Sequence, residues 1–107
     1  MLGAKMYYGT RFLRKEGISN IHSSNKIMLN YYKITNRNLT EQTKKYGIEI
    51  RKKEYKNNNV EIETRNINNI SESSKKVINI IETLKKYKVT PIGLQDVVED
   101  LLKQSKE

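Results

Sequence analysis

The chain has 107 residues, no cysteine, 36% hydrophobic residues and a formal net charge of +9. That length allows one small domain with a modest core, and the missing cysteines exclude disulfides, thiolate catalysis and zinc-thiolate centres. No apolar run approaches the roughly 18 residues of a membrane span and the N-terminus has no secretory apolar stretch, so a cytoplasmic protein without membrane contact is expected.

Charge is unevenly placed. Residues 1–59 carry 13 Lys+Arg against 4 Asp+Glu, whereas residues 60–107 carry eight of each. A basic half is what a surface facing a polyanion or an acidic protein requires. Sixteen lysines, thirteen isoleucines and twelve asparagines also fit an AT-rich coding sequence, which supplies basic residues without design.

Residues 5–16 alternate Met6, Tyr8, Thr10 and Phe12 against Tyr7, Gly9, Arg11 and Leu13, which predicts a strand. Residues 17–25 are polar and turn-forming, and hold the lone histidine, His22. In residues 26–36 the β-branched and aromatic content favours a strand, although Ile27, Met28, Tyr31 and Ile34 also fit a helical face. Residues 37–45 read as a polar connector. Tyr46, Ile48 and Ile50 then share one side of a strand, with Glu49, Arg51 and Lys53 on the other. The asparagines at 57–59 supply a turn, because asparagine tolerates left-handed backbone. The return strand, residues 60–67, is expected to turn Val60 and Ile62 inward and Glu61, Glu63 and Arg65 outward.

Two helices should follow. Ser71 is the expected cap of the first, with Glu72 at its positive end; Val77, Ile78, Ile80, Ile81 and Leu84 form its apolar stripe. Lys85, Lys86 and Lys88 crowd the last turn, so this helix should end near Lys88. Thr90-Pro91 restarts the chain as cap and first helical residue. Leu94, Val97, Val98, Leu101 and Leu102 make the second stripe, and the short connection predicts a helical hairpin with a shared seam. The fold class expected is α+β: a three- or four-stranded antiparallel sheet closed on one face by that hairpin, forming a single domain.

Tyr46-Gly47-Ile48-Glu49-Ile50, Asn69-Ile70-Ser71, Val89-Thr90-Pro91, Leu94 and Asp96-Val97-Val98-Glu99-Asp100-Leu101 resemble, in order and spacing, a family of short uncharacterised bacterial proteins. That family is a domain of unknown function found mainly in spore-forming anaerobes. The resemblance covers about the C-terminal half; this chain has a glycine at position 93 where it departs. It implies a small intracellular accessory protein and brings no catalytic residues.

No metal or catalytic constellation accompanies these elements. His22 has no cysteine or second histidine to share a metal, and reads as a solvated side chain. Asp96, Glu99 and Asp100 read as the wet face of a helix, since they lack the loop geometry of calcium and magnesium sites. No phosphate-binding glycine loop or nucleophile elbow occurs, so an enzyme is not expected, nor is a cofactor. A helix-turn-helix reader is disfavoured because Gln95, Asp96, Glu99 and Asp100 would face phosphates. The cationic hairpin is the better candidate: Lys44, Lys45, Arg51, Lys52, Lys53 and Lys56, with Tyr46 or Tyr55 beside them. A two-stranded ribbon can enter a major groove. The expected function is therefore a non-enzymatic accessory protein that binds DNA or RNA through this hairpin. The alternative is a regulator or inhibitor that docks an acidic protein on the same surface. A free sheet edge also permits a homodimer.

Overall fold

The computed structural model describes residues 2–14, 26–56 and 58–104. They form β1 (Leu2–Arg14), β2 (Lys26–Asn38), β3 (Thr43–Lys56) and β4 (Asn59–Ser71), then α1 (Ser74–Lys86), a 3-10 turn at Pro91–Gly93, and α2 (Leu94–Gln104). The strands pair antiparallel in sequence order. The expected α+β arrangement holds, with four strands. The predicted turn at 17–25, His22 within it, and the last two residues of the first predicted strand lie outside the described residues, as does Asn57.

The strands are longer than the sequence pattern predicts, at 13 or 14 residues each. The expected connector at 37–45 shrinks to a four-residue turn, and its ends join β2 and β3. Asn38 causes this: its side-chain oxygen accepts from the amides of Thr40 (3.0 Å) and Glu41 (3.2 Å), replacing backbone partners. Gln42 completes the reversal in the left-handed region, at φ 56°.

The molecule measures 52 × 31 × 17 Å. The long axis is that of the strands, which at about 3.4 Å per residue span roughly 45 Å. Seventeen ångströms accommodates one sheet and one helix layer. Both helices lie on the same side, and α1, about 20 Å long, covers less than half the strand length. Among the described residues no helix lies on the other sheet face, the bare face.

The core fills the covered side: Leu29, Tyr31, Ile48 and Ile50 from the sheet, Val77, Ile80, Ile81 and Leu84 from α1, and Leu94 and Val98 from α2. The Tyr31 hydroxyl donates to the Val89 carbonyl at 2.9 Å, tying β2 to the connection between the helices. Pro91 is buried at the start of the 3-10 turn, beneath the second helix.

Several local expectations are corrected. Ser71 ends β4 instead of capping α1; its Oγ accepts from the Ser73 amide at 3.0 Å. Ser73 is the cap, accepting from Lys76 N at 3.1 Å. The helix stops at Lys86, because Lys88 turns left-handed (φ 53°). Lys88 N then donates to Lys85 O (3.1 Å) and Val89 N to Leu84 O (2.9 Å), the paired bonds of a Schellman ending. Thr90 makes no side-chain cap; its carbonyl accepts from Gly93 N at 3.1 Å.

Two irregularities interrupt the strand register, and the one in β1 changes which side chains face which way. In β1 the register shifts between Tyr7 and Gly9, so strict alternation fails there. Tyr8 and Leu13 pack toward the core, whereas Tyr7, Thr10 and Phe12 lie over Tyr32, Asn30 and Met28 on the bare side. Gly9 has φ 136°, and a Cβ there would sit 3.1 Å from Lys85 Nζ. That lysine crosses the bulge to donate to Tyr8 O at 2.9 Å.

The second bulge lies where Gly47 faces Asn68–Ile70. Beyond it, β4 runs opposite to expectation: Ile67 pairs with Ile48 on the core side, which puts Ile62 opposite Lys53 and Val60 opposite Tyr55 on the bare face. Val60 and Ile62 remain 48% and 58% exposed. Glu63 and Arg65 take the covered side instead. Ile67 packs against the core and fixes the parity of β4, and Val60 and Ile62, at odd separations from it, fall on the opposite face.

Candidate functional site

Because antiparallel partners share a face, the bare surface can be read in rows from β1 to β4. Phe12, Met28, Lys53 and Ile62 form one row; Thr10, Asn30, Arg51 and Thr64 the next; Tyr7, Tyr32, Glu49 and Asn66 the third. Lys5 and Ile34 follow, then Gly3, Asn36 and Lys45. The surface thus grades from apolar near the β3–β4 turn to polar and cationic at the opposite end.

Its centre is a linked cluster. Tyr7 and Tyr32 meet edge to face with ring centroids 5.9 Å apart, a preferred arrangement of aromatic quadrupoles. Lys5 Nζ lies 5.8 Å and the Arg51 guanidinium 5.7 Å from the Tyr32 centroid, within cation–π range. Both cations also hold Glu49: Lys5 Nζ is 3.2 Å from each carboxylate oxygen and Arg51 contacts it at 3.6 Å. The Tyr7 hydroxyl bonds Thr10 Oγ1, which donates to Asn30 at 2.6 Å. Tyr7 remains 58% exposed and Phe12 50%, so flat aromatic surface lies open beside the cations.

Glu49 is buried, at 3% exposure, although it belongs to the bare side. Neighbouring side chains cover it, and the two cations offset the cost of removing a carboxylate from water. It forms part of the wall of a cavity of about 270 Å³ shared with Gly3, Ala4, Lys5, Ile34, Asn66 and Asn68. The missing side chain at Gly3 and the short one at Ala4 leave room between Lys5 and the amides of β4.

The eight residues singled out from the hairpin sequence do not form one surface. Strand alternation puts Lys45, Arg51, Lys53 and Tyr55 on the bare face, and Lys44, Lys52, Lys56 and Tyr46 on the helix side. Tyr46 is half-buried, with Lys33 Nζ 5.1 Å above its ring. Lys52 pairs with Glu63 at 3.5 Å and Lys56 with Glu61 at 3.0 Å. The Glu61 hydrogen bond, aided by the charges of Glu54 and Glu61, raises the pKa of the exposed Lys56. These cross-strand pairs are the internal neutralisation that the hairpin's charge pattern allows.

Sequence reasoning missed Lys5, Tyr7, Tyr32, Asn66 and Asn68. The alternation that places Glu49, Arg51 and Lys53 outward also places Asn30, Tyr32 and Asn36 outward on β2, so that signal was present. The β1 bulge, by contrast, has no clear mark beyond Gly9.

A four-stranded meander backed by two helices, with one face carrying rings and cations, defines the class: a small α+β domain with an open sheet. The chain belongs to a family of unknown function, DUF6514, whose model matches residues 13–104. The family relationship thus extends well beyond the C-terminal half, over β2, β3, β4 and both helices. No curated protein and no solved structure matches the chain. Among the described residues, no helix is long and apolar enough to cross a membrane.

Proposed function

We propose that the protein is a non-enzymatic accessory protein of the bacterial cytoplasm that binds single-stranded nucleic acid on the bare face of its sheet. One observation carries this reading: the exposed rings of Tyr7 and Phe12, with Tyr32 between cations, share with Lys5, Lys45, Arg51 and Lys53 a surface on which no helix of the described residues lies. Aromatic platforms accept bases of any sequence, and cations beside them meet the phosphates. Glu49 is the acidic residue within these rows, so the surface keeps a positive balance.

The same geometry argues against a ribbon entering a duplex groove. β1 and β2 flank the hairpin over nearly its whole length, with Ile27 already opposite Glu54. Four strands at about 4.8 Å spacing present a slab wider than the roughly 12 Å major groove. The open face therefore suits a strand whose bases are unpaired.

Salt dependence tests this. Four phosphate contacts to a single strand give a slope of about −3 for log affinity against log salt. A fluorescence-anisotropy titration with a labelled uridine 12-mer should show that slope. A slope near zero, or no binding at low salt, would remove the proposal. Recovery of an acidic protein from nuclease-treated lysate, with no oligonucleotide bound, would instead favour the protein-docking alternative.

A further inference from the structure

We infer that β4 is a dimerisation edge, at which two copies of the chain pair antiparallel about a two-fold axis through Thr64. The inference is independent of the nucleic-acid reading and supplies a partner of known chemistry, the chain itself.

The two edges of the sheet differ. β4 ends the strand order, so among the described residues no strand borders its outer side, where an edge presents a row of N–H and C=O groups. Proteins blunt such edges with lysine, proline, bulges or brevity. β4 has 13 residues with neither lysine nor proline, and it pairs without interruption from Asn59 to Ile67. β1 is the defended edge: the bulge between Tyr7 and Gly9 breaks it, and Tyr8 O accepts from Lys85. Charge separates the two edges as well. β1 carries Lys5, Arg11 and Arg14 and no carboxylate, whereas β4 carries Glu61 and Glu63 against Arg65. In a chain of net charge +9, β4 is therefore the edge at which two copies approach without cation meeting cation.

The register follows from geometry and charge. Antiparallel partners share a face, so a two-fold axis normal to the sheet passes through a residue and not between two. An axis through Glu63 sets that carboxylate against its own copy, and one through Arg65 does the same with guanidinium groups. An axis through Ile62 sets Glu61 opposite the partner's Glu63. Of the positions from 62 to 65, Thr64 alone opposes unlike charges: Glu63 faces the partner's Arg65, and Arg65 the partner's Glu63. Arg65 is exposed, and Glu63 is 3.5 Å from Lys52, so each Glu63 gains a second cation. On the bare side Thr64 meets its own copy, a favoured cross-strand pair. The product is one eight-stranded sheet whose two bare faces are continuous.

Sedimentation velocity on the full chain tests the association. Between about 1 and 100 μM the mass should rise from the 12.6 kDa monomer towards twice that value. Cysteine variants test the register, since the chain has no cysteine of its own. Thr64→Cys places two thiols directly opposite, within disulfide reach. Ile62→Cys or Asn66→Cys sets its two copies four residues out of register, about 14 Å apart along the strands. Under oxidation Thr64→Cys should form the covalent dimer about tenfold faster than either of the others. A monomer across the whole concentration range would overturn the inference. So would a dimer in which Thr64→Cys cross-links no faster than Ile62→Cys and Asn66→Cys.

Discussion

The adjacent tyrosines Tyr31 and Tyr32 show how one step along a strand changes a residue's role. Tyr31 is fully buried, and its hydroxyl donates to Val89 O. Burial raises its pKa from 10.0 to about 12, against a smaller opposing effect of the Arg11 charge. The folded protein therefore holds this proton more tightly than the unfolded chain does. Below pH 10 both states are protonated and Tyr31's contribution is complete; it is lost as pH rises from 10 towards 12. Two pH units correspond to about 2–3 kcal/mol. Denaturant titrations at neutral and alkaline pH should show Tyr31→Phe destabilised by about 1 kcal/mol at neutrality, for the lost hydrogen bond. Above pH 10 the gap should narrow, since the variant has no proton to lose there; parallel curves would contradict the assignment. Alternation made this division legible once residues 26–36 were read as a strand. Which member of the pair faces the core was less plain, because both are tyrosine.

At the scale of elements, the ends and bulges decide more than the apolar stripes do. The stripe of α1 predicted its buried face, with Val77, Ile80, Ile81 and Leu84 all in the core. Its cap was misplaced by two residues because Ser71, Ser73 and Ser74 offer similar chemistry, and only the length of β4 selects among them. Lys88 holds a left-handed conformation at φ 53° that glycine adopts at no steric cost. Lys88→Gly should therefore stabilise the fold by about 1 kcal/mol, read as a higher midpoint in thermal melting. Gly47 has the opposite requirement. A Cβ there would lie 2.2 Å from Ile67 O and 2.9 Å from Asn68 Cα, both backbone atoms that cannot turn aside. Gly47→Ala should cost about 2 kcal/mol or more and disturb the β3–β4 register, visible as lost amide protection in β4. The misread face of β4 follows from plain alternation, since Val60 and Ile62 lie at odd separations from Ile67. Val60 and Ile62 alternate as an inward pair would, but Ile67, beneath the helices, sets the register, and a register fixed there fixes every side chain along the strand.

Across the whole molecule, the sequence's charge imbalance becomes a question of sides. The described cations of residues 1–59 lie on strands, and strands send alternate residues to opposite faces, so a run such as Arg51-Lys52-Lys53 cannot form one patch. A count of charge along the chain identified the basic half but not the face, because the face depends on where the helices pack. This separation gives a control that net charge alone cannot satisfy. Lys45→Gln with Lys53→Gln removes two charges from the bare side, and Lys44→Gln with Lys52→Gln removes two from the helix side. Both double variants lower the protein's charge equally. If the open sheet is the contact surface, the first pair should weaken binding of the uridine 12-mer roughly tenfold and reduce the salt slope by about 1.4, or about 0.7 for each phosphate no longer neutralised. The second pair, one member of which is already held by Glu63, should change affinity less than about twofold, since only long-range attraction is removed and that is screened beyond about 10 Å at 0.1 M salt. Equal weakening by the two pairs would mean that diffuse charge draws the polyanion to the protein, and that the rings of Tyr7, Phe12 and Tyr32 take no part in holding it.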